Sequence, residues 1–85
     1  MAIDRDKIDE VTLALLNLVM WEEDEYGARV WKGFDWATMS RLHEKGYIQN
    51  PRGKARSVIM LPEGVKRSKE LFEKYFVRPG DNEKS

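Results

Sequence analysis

The stretch from Phe34 to Leu61 constrains the fold more than any other. It holds a capped helix, a helix stop, and a strand-turn-strand unit in unbroken succession. Asp35 can start the helix by accepting a backbone N–H two or three residues on, and Phe34 before it can staple onto Met39. At about 100° per residue, Trp36, Met39, Leu42 and His43 share one face, while Ala37, Thr38, Ser40, Arg41, Glu44 and Lys45 occupy the other. Gly46 can take the left-handed conformation that ends a helix, and Tyr47 after it stands where a Schellman cap sets an apolar residue against Leu42.

Asn50-Pro51-Arg52-Gly53 follows the residue preferences of a type I turn, so Tyr47 to Gln49 should pair with Ser57 to Leu61. The second run is β-branched and apolar, and its pattern leaves open which of Val58 and Ile59 faces inward. At Leu61-Pro62-Glu63-Gly64 a further helix begins, with Pro in its first turn and Glu63 at the positive end of its dipole.

This order of elements, with R-L-H-E-K-G-Y-I over 41–48 and V-I-M-L-P-E-G-V over 58–65, resembles the recognition helix, wing and following helix of winged helix-turn-helix domains. The resemblance covers Asp35 to about Phe76. Pro62 stands where those domains usually carry Thr, and the segment before Asp35 is short for their positioning helix. W-K-G-F-D-W together with R-L-H-E-K-G also resembles a small uncharacterised family of short domains. The resemblance implies a fold, and DNA as the partner that winged helices most often take. The contacts it implies are Thr38, Ser40, Arg41 and Lys45 on the helix and Arg52, Lys54 and Arg56 on the wing.

The chain has 85 residues, enough for one domain near the lower limit for folding alone. Residues 1–78 are expected to form it, with 79–85 as a disordered polar tail. The lack of Cys excludes disulfides and thiolate metal sites. The acidic start Met-Ala-Ile-Asp-Arg-Asp lacks the regions of a signal peptide, and the apolar run Val11 to Trp21 is too short to span a bilayer, so a cytoplasmic location without a membrane segment is expected. Fifteen basic and fifteen acidic residues cancel, whereas DNA-binding domains usually carry a basic excess. A local strip can still act: Arg52, Lys54 and Arg56 read either as a phosphate-facing wing or as a solvated hairpin tip.

Near the N-terminus, Asp4 or Asp6 can cap a first helix running to about Met20 or Trp21, with Asp9 and Glu10 in its early turns. Ile8, Val11, Leu15, Leu18 and Val19 form one apolar stripe and are expected to be core. Leu13, Leu16 and Met20 form a second, a surplus that either the last helix and the Trp side chains cover, or the same helix of a second subunit in a two-fold contact. Beyond it, Glu22 to Glu25 reads as a solvated acidic loop without calcium-loop spacing, and Ala28 to Lys32 as a short strand joining the wing. Trp21, Trp31 and Trp36 form a buried aromatic cluster on one reading and an exposed base-stacking platform on the other. The last helix, Pro62 to Phe76, turns Val65, Leu71, Phe72, Tyr75 and Phe76 to one side.

Nothing here dictates a reaction. The single His falls on the apolar side of its helix, no Ser-His-Asp order is evident, and Gly53-Lys54 lacks the frame of a phosphate loop. No cofactor, metal or small-molecule substrate is expected. The sequence therefore predicts an α+β, small winged-helix-like domain in the order helix, optional strand, helix, strand, strand, helix, with a two- or three-stranded antiparallel sheet. Its expected role is that of a non-enzymatic macromolecule-binding module, with DNA as the family-implied partner. The alternative is a protein-interaction or homodimerisation module without DNA binding.

Overall fold

In a computed structural model, which describes residues 2–78, the chain forms three helices and a three-stranded antiparallel sheet, the expected α+β class. The tail expected at 79–85 lies outside the described residues. The elements are α1 (Arg5–Leu16) with a 3-10 turn (Asn17–Val19), β1 (Trp21–Asp24), β2 (Gly27–Trp31), α2 (Trp36–Glu44), β3 (Ser57–Met60) and α3 (Pro62–Phe76). Two strands precede α2 rather than one. The acidic segment expected as a loop is β1, paired with β2 across a turn at Glu25 and Tyr26. A β-hairpin thus fills the place where a helix-turn-helix carries its positioning helix.

The local signals around α2 work as written in the sequence. The Asp35 carboxylate accepts from Thr38 N at 3.1 Å, and at the far end Gly46 takes φ 85°. There Tyr47 N donates to Leu42 O and Gly46 N to His43 O, each at 3.0 Å, the two bonds of a Schellman cap. The wing's first strand is a single bridge, Ile48 opposite Met60, flanked by Gln49 N to Ile59 O and Leu61 N to Tyr47 O. On its other edge β3 pairs with β2, which sets Val30 opposite Val58 and Ala28 opposite Met60. These four are buried, so Val58 faces inward and Ile59 outward.

The core joins the inner sheet face to Leu13, Ala14 and Leu16 of α1, Met39 and Leu42 of α2, Ile48, and Val65 and Leu71 of α3. The first helix is therefore turned the other way from the expected one. Leu13 and Leu16, expected at a contact with a second chain, fill the chain's own core, and Met20 packs against it. Ile8, Leu15, Leu18 and Val19, expected as core, are exposed. Two stripes of similar apolarity on one helix do not decide between themselves; the partners do. Ala14 is small enough to lie buried on a helix packed against α3, where the buried Ser68 hydroxyl donates to Leu13 O at 2.7 Å. The opposite flank carries Asp9, which the cations of α2 hold. At α3's first turn, a Cβ on Gly64 would stand 2.1 Å from Tyr47 O, so glycine there lets the helix start against the wing.

Candidate functional site

The winged-helix resemblance directs attention to α2 and the wing, and the two behave differently. Asp9, 1 % exposed, receives Arg41 Nε at 2.9 and 3.0 Å on its two oxygens and Lys45 Nζ at 2.8 Å. Lys45 also reaches Asp6 at 3.2 Å, and Arg41 Nη2 donates to the Thr38 hydroxyl, which donates to Asp35 at 2.7 Å. Burial alone would raise the Asp9 carboxyl, but the hydrogen bonds from Arg41 and Lys45 outweigh it and hold it below the usual carboxylate range. Arg41 and Lys45 are raised in turn, first through their hydrogen bonds to Asp9. The Thr38 hydroxyl and N–H lower Asp35.

This network engages three of the four helix residues expected as DNA contacts, Thr38, Arg41 and Lys45. Thr38 is buried, and Arg41 and Lys45 are committed to neutralising Asp9 across the α1–α2 junction, because an unpaired carboxylate there would be costly. Ser40 is half-buried. The exposed residues of α2 are Trp36, Ala37, His43 and Glu44, none a Lys or Arg. His43, expected on the apolar side, is among them; its Nδ1 stands 3.1 Å from Ile48 O, which fixes the tautomer that donates from Nδ1.

On the wing, Arg52, Lys54 and Arg56 are exposed, and among the described residues none of them forms a salt bridge. The loop that carries them is held by Lys32, whose Nζ donates to Pro51 O at 2.6 Å and to Gly53 O at 3.0 Å. The Lys32 amide donates to Arg56 O at 3.2 Å, and Arg52 N closes an Asx turn onto the Asn50 side chain at 3.0 Å.

Beside this loop lies a cleft of about 310 Å³, lined by Trp31, Phe34, Trp36 and Arg56, with Lys32, Gly33 and Ala55 completing it. The three Trp side chains do not form a buried cluster: Trp21 is 43 %, Trp31 53 % and Trp36 52 % exposed, and Phe34 beside the last two is 44 % exposed. Trp31 leaves β2 on the solvent side, since Val30 takes the inward position, and its ring lies over the backbone of Gly33, where a Cβ would come within 2.4 Å of Cζ2. Trp36 opens α2, a turn away from the buried Met39. The two ends of the sheet differ in sign. Arg52, Lys54 and Arg56 lead into β3, whereas Glu22, Glu23, Asp24 and Glu25 cluster at the hairpin that opens β2. At the hairpin Arg29 pairs with Glu22 and Lys69 with Glu23, which leaves Asp24 and Glu25 as the carboxylates without a salt bridge among the described residues.

Two other concavities are internally neutralised or open. The cleft between α1, the end of α2 and α3 sets Lys45 and Arg67 against Asp6, Asp9 and Glu10, and its charges pair among themselves. The hollow by the acidic hairpin is lined by Glu22, Asp24, Tyr26 and Arg29, with Glu22 and Arg29 joined at 3.1 Å. Among the described residues no three His, Asp or Glu side chains converge to hold a metal ion, and no helix is long and apolar enough to cross a membrane.

Residues 4–78 match a family described as a domain of unknown function, DUF6429. The chain belongs to the DUF6429 family. An uncharacterised protein of Sinorhizobium fredii, y4hR, is 50 % identical over 78 residues, which is 92 % of this chain and all of that protein. No solved structure matches the chain.

Sequence reasoning about this DUF6429 chain missed Asp9, Lys32 and the exposure of the aromatic residues. For Asp9 a signal existed: it falls four and seven residues before Leu13 and Leu16, so a carboxylate sits inside an apolar stripe. Lys32 carried none, since its partners are carbonyls some twenty residues away that only the tertiary fold brings near.

Proposed function

We propose that the protein is a non-enzymatic module that binds nucleic acid through the wing and its aromatic cleft, and not through the length of α2. The observation that carries this reading is the convergence of three half-exposed aromatic side chains with Arg56, beside the exposed Arg52 and Lys54, on a loop pinned by Lys32. Exposed aromatic area at one place marks a contact surface, and unpaired guanidinium and ammonium groups around it suit a polyanion. The α2 surface is less suited, because its own cations are spent on Asp9 and Glu44 faces out. The test is titration with native and heat-denatured DNA, following the indole N–H resonances. Those of Trp31 and Trp36 should shift and that of Trp21 should not, with affinity falling as salt rises. Unchanged spectra at about 50 mM salt would remove nucleic acid from the reading.

A second reading, a homodimerisation or protein-interaction module, rests on a different observation. Ile8, Leu15, Leu18 and Val19 leave an apolar strip uncovered on the outer side of α1 and its 3-10 turn. A second copy meeting the same strip about a two-fold axis would cover it. Sedimentation should then give twice the chain mass, and Leu18→Glu should halve it while the fold persists. A single-chain mass at high micromolar concentration ends this reading.

A further inference from the structure

The wing cleft has a geometry that discriminates between forms of nucleic acid, and the following rests on the nucleic-acid reading above. We infer that the cleft takes a single strand, with unpaired bases stacking on Trp36 and Trp31 while Arg56, Arg52 and Lys54 hold the phosphates. A duplex hides its base faces and is read by a helix or ribbon entering a groove. Here the helix that would enter has no free cation on its exposed side, carries Glu44 outward, and lacks a positioning helix before it. A single strand presents flat base faces and a flexible backbone, the two features that aromatic platforms flanked by cations bind. Trp31 and Trp36 supply the faces, each about half open to solvent in one cleft of about 310 Å³, at the small end of ligand sites.

No carboxylate lines the cleft among the described residues, and Asp35 stands between Phe34 and Trp36 in the chain. Its carboxylate is turned to the N–H and hydroxyl of Thr38, so it caps α2 and is occupied there. The acidic hairpin lies at the opposite end of the sheet from the wing. Lys32 gives its charge to the Pro51 and Gly53 carbonyls and so shapes the site instead of contacting the strand. The contacts are to base faces and phosphates, which DNA and RNA share.

The experiment is a tryptophan-fluorescence titration of the full chain with oligothymidylate of about twelve nucleotides, oligouridylate of the same length, a duplex of the same length, and polyglutamate. The single strands should quench emission and bind at least about tenfold more tightly than the duplex, with the log-log salt slope near about −2 for three phosphate contacts. Trp36→Ala should weaken binding roughly 5- to 150-fold, the range expected for loss of one stacked base. Arg56→Gln should reduce the slope by about 0.7, and Lys66→Gln on the exposed side of α3 should change neither. Circular dichroism establishes that each variant is folded, and Arg56→Gln keeps the test decisive should Trp36→Ala unfold. Equal or tighter duplex binding overturns the single-strand inference and leaves the nucleic-acid reading standing. Polyglutamate binding as tightly as oligothymidylate overturns it in favour of an acidic protein partner. A preference above about tenfold for one sugar overturns recognition by shared features alone. No binding by any strand overturns both.

Discussion

Asp9→Asn tests the element that joins α1 to α2. The substitution keeps the shape of the side chain but leaves Arg41 and Lys45 facing a neutral amide. Breaking one side of a buried ion pair costs about 3–5 kcal/mol when the orphaned charge stays buried. Here the Arg41 and Lys45 side chains retain 25 % and 36 % of their access to water, and Lys45 keeps Asp6, so part of that cost is recovered by hydration. A loss of about 2 to 3 kcal/mol is expected, roughly 10–20 °C in Tm for a domain of this size. That is a sizeable part of the total stability of a small domain, about 5–15 kcal/mol.

The pH dependence gives the same argument a sign. A carboxyl held below its unfolded value stabilises the fold above about pH 3.9, and the contribution is lost as pH falls through the folded-state value. Asp9 is such a group: burial works to raise it, and the hydrogen bonds from Arg41 and Lys45 outweigh burial. The unaltered chain should therefore lose stability more steeply on acidification than Asp9→Asn, and the two should converge once Asp9 is protonated. Thermal melts followed by circular dichroism across the acid range would measure it. Melting temperatures that agree within about 2 °C at every pH would refute the account of the α1–α2 junction.

Leu13→Ala should cost about 2–5 kcal/mol in urea unfolding, against less than about 1 kcal/mol for Leu15→Ala, because the first empties a fully buried site and the second trims an exposed one. Gly64→Ala should destabilise by about 1–3 kcal/mol through its clash with Tyr47 O. Gly46→Ala, with no atom within 4 Å of the new Cβ, should lose only the backbone term of about 1–2 kcal/mol for its left-handed conformation. Lys32→Met should speed amide hydrogen exchange in 50–56 without changing it in α3, since the ammonium contacts to the Pro51 and Gly53 carbonyls tie that loop to β2.

The sequence by itself determined what short-range chemistry can determine. The Asp4 and Asp35 caps, the Gly46 stop and the Pro62 start act over a few residues, so their energies are largely settled before the chain folds. The same chemistry placed α2, α3 and the pairing of Ile48 with Met60, and so the α+β class. Of the candidate contacts, Arg52, Lys54 and Arg56 stand on the surface as their wing position implied.

The tertiary structure alone decided which face of each element meets the core. On α1 two apolar stripes of similar strength compete, and the choice goes with Ser68 of α3 on the Leu13 carbonyl and with Asp9 between Arg41 of α2 and Lys45 at its C-terminal cap, 32 and 36 residues away. That choice engaged Arg41 and Lys45 with Asp9, sent Leu13 and Leu16 inward and left Leu15 and Leu18 outside. It decided the Trp residues as well. A large apolar side chain is buried only where the sheet and helices leave room, and Val30, Met39, Leu42 and Met60 fill this core while Trp31 and Trp36 lie outside it. Periodicity records that a residue is apolar; packing decides whether there is a place for it.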